Sequence, residues 1–192
     1  MRIITGTFRS RPLQAPAGLA TRPTTDRLRE TLFNVLAPRI VGARFLDLYA
    51  GSGAVGLEAL SRGAEDVVFV ERAPAALKVL RANLDKLGVK GGFEVQAAAV
   101  REYLRRTATG PRGFDVVFLD PPYDAEAEYA ATLGALGGAA AGLLSDGAVV
   151  IAEHSRKEKL ADAYGKLRRT RLLEQGDAAL SFYRAGETAA SS

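Results

Sequence analysis

Apolar and polar positions change rhythm along this chain, and the changes mark its elements. Short apolar blocks at Arg44 to Asp47, Val67 to Glu71, Phe93 to Val95, Phe114 to Leu119 and Ala148 to Ala152 read as strands. Helix-period segments separate them: Val55 to Ser61, a helix opened by Pro74, Val100 to Arg106, and Ala125 to Leu136. In the second of these, Leu77, Leu80, Leu84 and Leu87 share one face, proline stands where a first turn tolerates it, and Gly88 ends the run. Strand and helix in alternation predict a parallel sheet covered on both faces. Beyond Ala152 the alternation stops. Leu167 to Glu174, a turn at Gln175-Gly176-Asp177, and Ala178 to Arg184 predict a closing antiparallel hairpin. Ahead of the sheet, Arg2 to Leu13 predicts another hairpin. Thr24-Thr25-Asp26 then caps a helix with Leu28, Leu32, Val35 and Leu36 on one face, stopped by Pro38. The expected organisation is a basic hairpin and helix over 1–40, a main domain over 41–185, and a small polar tail over 186–192 that frays.

Composition narrows the function. A chain of 192 residues, 47% apolar and 25% charged, has the balance of one soluble domain. No apolar stretch is long enough to span a membrane, and the N-terminus lacks a signal-peptide core, so a cytoplasmic protein is expected. The absence of cysteine removes disulfides, thiolate metal sites and a cysteine nucleophile. The lone His154 argues against a zinc site and reads as a surface or strand-end residue, so no metal is assigned. Charge is uneven: residues 1–44 carry eight arginines against Asp26 and Glu30, whereas residues 45–152 hold ten basic and fourteen acidic groups. A basic arm on a mildly acidic body fits a polyanionic partner. The same arginines could equally solvate a surface hairpin and helix.

Two motifs carry chemistry. Asp47-Leu48-Tyr49-Ala50-Gly51-Ser52-Gly53 runs from the first strand into G-x-G-x-x-G, completed by Gly56, and Glu71 follows Gly51 by twenty residues. That spacing fits a dinucleotide as well as a nucleoside cofactor, with glycines admitting the ligand and an acid taking ribose hydroxyls. Asp47 weighs against the dinucleotide: a carboxylate there opposes a pyrophosphate and favours the sulfonium or amino group of S-adenosylmethionine. The second motif is Asp120-Pro121-Pro122-Tyr123, at the end of the fourth strand. Proline cannot extend a ladder, so the strand ends in a stiff turn. The turn gathers a carboxylate, the free carbonyl of Pro121 and an aromatic ring. Two acceptors and a stacking face suit a planar base with an exocyclic amine, extruded from its strand. If both N–H bonds are accepted, the nitrogen lone pair is freed towards a methyl group, and positioning does the rest. Aspartate weakly favours guanine, whose N1–H and 2-amino group both donate, over adenine, whose N1 accepts. Five alternating units, the closing hairpin and these motifs together predict an α/β class I S-adenosylmethionine-dependent methyltransferase. The expected sheet is Rossmann-like, mostly parallel and seven-stranded, with a small N-terminal extension.

The segment Arg22 to Asn34, with Leu46 to Gly53 and Asp120 to Tyr123, resembles the RsmD family, from Met1 to about Arg184. The resemblance implies methylation of a guanine 2-amino group in 16S ribosomal RNA, alone or within the small subunit or an assembly intermediate, by a monomer. It implies catalysis at Asp120, Pro121, Pro122 and Tyr123. It places the cofactor against Asp47, Tyr49, Ala50, Gly51, Ser52, Gly53, Glu71, Arg72, Ala99, Val100 and Asp120. It also implies that the first helix borders the RNA pocket, which adds Arg22, Thr24 and Arg27 to the candidate RNA contacts Arg2, Arg9 and Arg11 of the hairpin. The chain departs from related enzymes after the third strand: Gln96-Ala97-Ala98-Ala99-Val100 offers alanine where Asp or Asn meets the adenine amino group. Backbone groups and packing near Val100 are expected to hold the adenine instead. The rival readings are an amino methyltransferase of adenine or of protein glutamine, a nicotinamide-dependent oxidoreductase, and a non-catalytic RNA-binding module.

Overall fold

Strands that are apolar on both faces need cover on both sides, and the computed structural model shows how the chain supplies it. The structure describes residues 1–15, 25–108, 113–122 and 126–186. In chain order the elements are α1 (Asp26–Leu36), β1 (Arg44–Leu48), α2 (Ala54–Ser61), β2 (Asp66–Glu71), α3 (Pro74–Leu87), β3 (Phe93–Ala97), α4 (Val100–Thr107), β4 (Phe114–Leu119), α5 (Glu126–Leu136), β5 (Leu144–Ser155), β6 (Ala163–Tyr164), β7 (Leu167–Gln175) and β8 (Ala178–Ala185). They form one sheet in the order β3-β2-β1-β4-β5-β8-β7-β6. β1 to β5 pair in parallel, and β8 pairs antiparallel with both β5 and β7. Alternate residues build two cores. Phe45, Phe69, Phe118 and Ile151 face α1, α2 and α3, while Leu46, Val70, Leu119 and Val150 face α4 and α5. Residues 1–15 and 25–40 join the former core, through Ile3, Leu13, Leu28, Leu32, Phe33 and Leu36.

Local chemistry explains the element ends. Thr25 Oγ1 accepts the Leu28 N–H at 3.1 Å, so α1 begins at its expected cap. Gly88, in the left-handed region at φ +72°, ends α3. Two expectations need correction. The sheet has eight strands rather than seven, because Ala163-Tyr164 pairs with Leu167-Arg168, and two residues are too short to leave a periodic signal. β5 begins at Leu144 rather than Ala148. Its polar start, Ser145-Asp146-Gly147, is held by the Asp115 carboxylate, which accepts from Ser145 Oγ (2.7 Å) and the Arg44 N–H (2.9 Å). The expected N-terminal hairpin forms around the Arg2–Pro12 bridge, with the N–H groups of Leu13, Ile3 and Ser10 on Met1 O (3.1 Å), Arg11 O (3.0 Å) and Ile3 O (2.9 Å). Further N–H groups are satisfied by α2: Glu58 accepts those of Ile4 (2.7 Å) and Thr5 (3.0 Å), and Ser61 accepts those of Thr7 and Phe8.

Candidate active site

Sheet order reverses direction between β1 and β4, and a parallel sheet opens a crevice beyond the carboxyl ends of its strands at such a point. The glycine loop leaves β1 on one side of it and Asp120 leaves β4 on the other. Register adds something that spacing alone does not reveal. Asp47 pairs with Phe69 and Phe118, and Phe118 pairs with Ile151. Two residues further along β2, β4 and β5 stand Glu71, Asp120 and Glu153, which the pleat puts on that same face. Four carboxylates therefore line one side of the crevice. Asp47 and Glu153 are buried, at 2% and 7% exposure. Burial lifts the Asp47 carboxyl to about 7, against the Gly56 N–H that favours its charge and with a further push from Glu71. Burial, then Glu153, then Asp47 push Asp120 well above the usual carboxylate range. Among the described residues no arginine or lysine forms an ion pair with Asp47, Glu71 or Asp120. Such a row is costly by itself and favours a cation.

The glycine loop is built by this chemistry. Asp47 Oδ2 accepts the Gly56 N–H at 2.9 Å, and Glu71 Oε2 accepts the Gly51 N–H at 2.9 Å. Glu71 Oε1 also takes the N–H groups of Arg72 and Ala73 at 2.8 and 2.7 Å, ahead of α3. A carboxylate offers about four lone-pair sites; three are used, and the spare one suits a ribose hydroxyl. Gly53 sits at φ +79°, where a Cβ would meet Leu80 Cδ1 at 2.2 Å. Gly56 lets α2 lie on β2, since a Cβ there would meet Phe69 Cε1 at 2.3 Å. Internal partners thus take the N–H groups of Gly51, Gly53 (2.7 Å to Ala50 O) and Gly56. A pyrophosphate would need such donors, so the loop is a poor dinucleotide cradle and a good one for a cationic nucleoside.

The remaining candidates are placed as follows. Ala50 is buried, with its N–H on Val70 O at 3.0 Å, and the Ser52 carbonyl faces α3. Arg72 is exposed. Ala99 precedes α4, Val100 is buried, and the adjacent Ala98 N–H reaches Glu71 O at 3.1 Å, so the end of β3 lies beside Glu71. Pro121 is buried and Pro122 exposed; Tyr123, Arg22 and Thr24 lie outside the described residues. Tyr49 does not turn its hydroxyl to the glycine loop but to α5. Arg2, Arg9, Arg11 and Arg27 are exposed. Arg2 approaches Asp26 (3.7 Å) at the start of α1, whereas the tip with Arg9 packs near Ser61, at the end of α2 remote from the glycine loop. His154 is buried rather than at the surface. Its Nδ1 donates to Ser155 O and its Nε2 accepts from Ser181 Oγ, each at 2.8 Å, and burial lowers its pKa.

A family model described as "Conserved hypothetical protein 95" matches residues 1–184. The chain belongs to that family, the RsmD family. YlbH of Bacillus subtilis is 38% identical over 184 residues, 96% of this chain and 98% of its own length. Ribosomal RNA small subunit methyltransferase D of Escherichia coli is 46% identical over 123 residues, 64% of this chain and 60% of the relative. The structure of the Escherichia coli protein yhhF superposes with a TM-score of 0.81 at 35% identity, covering 96% of this chain and 97% of that one. The RsmD-family fold seen here is that of the class I S-adenosylmethionine-dependent methyltransferases, with an eight-stranded, mostly parallel sheet.

Sequence reasoning passed over three groups in this family member. Asn83 is fully buried on α3. It accepts the Gln14 N–H (2.8 Å) and donates to Gln14 O (3.1 Å) and Ser52 O (3.0 Å), so it joins the N-terminal hairpin to the glycine loop. Arg29 and Glu58, both fully buried, lock α1 and α2 to the hairpin, with Arg29 also donating to Arg2 O. Glu153 completes the carboxylate row. The available signal was a polar residue on an apolar face: Asn83 falls among Leu80, Leu84 and Leu87, and Arg29 among Leu28, Leu32 and Phe33.

Proposed function

We propose that this protein transfers a methyl group from S-adenosylmethionine to the 2-amino group of a guanine in 16S ribosomal RNA, in the cytoplasm, on the small subunit or a precursor of it. The observation that carries the reading is the carboxylate row at the β1/β4 crevice, buried at Asp47 and Glu153 and part-exposed at Glu71 and Asp120, with Asp120 at its substrate end. When bound, S-adenosylmethionine supplies an electrophilic methyl group on a positive sulfur. With the cofactor bound, buried Asp47 and part-exposed Asp120 would attract that charge. Glu71 holds ribose hydroxyls with its spare lone pair, and the end of β3 bounds the adenine. On the acceptor side, Asp120 takes one amino N–H and the Pro121 carbonyl takes the other, turning the nitrogen lone pair towards the methyl carbon. An ionised Asp120 can accept from guanine N1–H at the same time. Tyr123 supplies the stacking ring that the family resemblance implies. The small-subunit rRNA substrate named for the Escherichia coli relative supports the choice of RNA.

The test is incubation of purified protein with methyl-labelled donor and 30S subunits or 16S rRNA from cells lacking it, followed by nucleoside mass analysis. Label in N2-methylguanosine is expected, and Asp120→Ala should lose turnover while still binding S-adenosylhomocysteine. Label in 6-methyladenosine would reassign the base, and full turnover by Asp120→Ala would remove the turn from catalysis.

A further inference from the structure

We propose that Tyr49 is a positioning residue for methyl transfer: its side chain straps the glycine loop to α5 and so fixes the spacing between the two reacting groups. The proposal rests on the functional reading above. Along β1, Asp47 faces the α1–α3 side and Leu48 the α4–α5 side. Alternation would return Tyr49 to the side of Asp47, into the crevice. Instead its backbone turns left-handed, at φ +61°, and its ring packs against the core under α4 and α5. That conformation costs about 1–2 kcal/mol for a residue with a Cβ, and glycine would adopt it freely. A large aromatic at such a position implies that the side chain is needed.

What the ring reaches is specific. Its hydroxyl donates to Glu128 Oε2 at 2.8 Å and lies 2.8 Å from Thr132 Oγ1. With the phenolic proton given to the carboxylate, the threonine hydroxyl donates in return. Glu128 and Thr132 are one helical turn apart on a single face of α5, and Thr132 is only 3% exposed. A second tie, from Tyr129 Oη to Glu153 O at 2.9 Å, pins the same turn of α5 to β5. β4 ends at Leu119 and α5 begins at Glu126, six residues after Asp120, so the catalytic turn lies in the chain between β4 and this helix. One side of Tyr49 therefore carries the loop for the donor, and the other holds the element that closes the acceptor turn.

Three measurements test this. In Tyr49→Phe, kcat should fall about 10- to 100-fold while S-adenosylhomocysteine affinity by calorimetry stays within about twofold, as misplacement of intact groups predicts. Glu128→Leu should behave alike, and Glu128→Gln, which keeps an acceptor oxygen, should recover most of the rate. The double variant Tyr49→Phe/Glu128→Leu should be no slower than the slower single one, because both remove the same strap. Hydrogen exchange without ligand should quicken together at residues 49–53 and 127–133 in Tyr49→Phe. Wild-type kcat in Tyr49→Phe, additive losses in the double variant, or exchange that quickens in one segment alone overturns the proposal. If the wild-type protein methylates no RNA, the functional reading fails and the exchange result still decides whether the strap exists.

Discussion

Asp47 offers a test that needs no substrate. Its carboxyl is buried, with one hydrogen bond among the described residues, from Gly56, and is pushed up to about 7 against an ordinary value of 3.8. Between those values the native protein holds a proton that the unfolded chain has released. Folding then takes up a proton, so this group's contribution falls as pH rises from about 4 to about 7 and is level above that. A shift of about 3 units at 1.36 kcal/mol each gives about 4 kcal/mol as the largest penalty at pH 8. Asp47→Asn removes the titration and keeps an oxygen for the Gly56 N–H. The variant's stability relative to wild type should therefore climb with pH, by up to about 4 kcal/mol between pH 4 and pH 8. Any fixed cost of the amide cancels in that slope. The chain has no tryptophan, so urea unfolding is followed by circular dichroism at each pH. A difference that does not change with pH, or that declines, refutes the assignment of a strained buried carboxylate. A cationic donor should reverse the strain, so S-adenosylmethionine should stabilise the wild type more at pH 8 than at pH 5.

Other consequences follow from single contacts. Glu71→Ala should weaken S-adenosylhomocysteine binding by about 1–3 kcal/mol in calorimetry; unchanged affinity would leave Glu71 as a cap for α3 alone. Glu58→Ala should destabilise the fold by about 3–5 kcal/mol, since it strands buried Arg29 and the N–H groups of Ile4 and Thr5; a loss under about 1 kcal/mol would show that the cluster is neutral. Removing Arg2, Arg9 and Arg11 together should lower RNA affinity and flatten its salt dependence. Arg2, at the mouth end of the hairpin, should account for more of that change than Arg9, and equal effects would place RNA along the whole hairpin.

Most of the sheet was legible because its strands are apolar runs bounded by glycine, proline or charge. β4 ends where Pro121 forbids another ladder bond, and α3 begins and ends on Pro74 and Gly88. The start of β5 was not legible, because it is polar and depends on Asp115 from a neighbouring strand. Glu71 was found by its spacing from Gly51, but Glu153 could only be found through the β4/β5 register, which no local pattern encodes. Tyr49 was read with the loop around it. Its departure from strand alternation is a backbone event at a non-glycine residue, and sequence gives no warning of that.

The same distinction applies to the basic arm. Charge alone describes residues 1–44 as a positive extension joined to an acidic body, free to be moulded by its partner. Contacts describe something stiffer. Glu58 takes two N–H groups of the hairpin while pairing with Arg29 of α1, and Asn83 accepts from Gln14 with Oδ1 while its Nδ2 donates to the carbonyls of both Gln14 and Ser52. The hairpin, α1 and the glycine loop are thus parts of one packed body. Ordering them is completed on folding, so a partner that docked on this surface would meet preformed structure and bear little of that entropy cost.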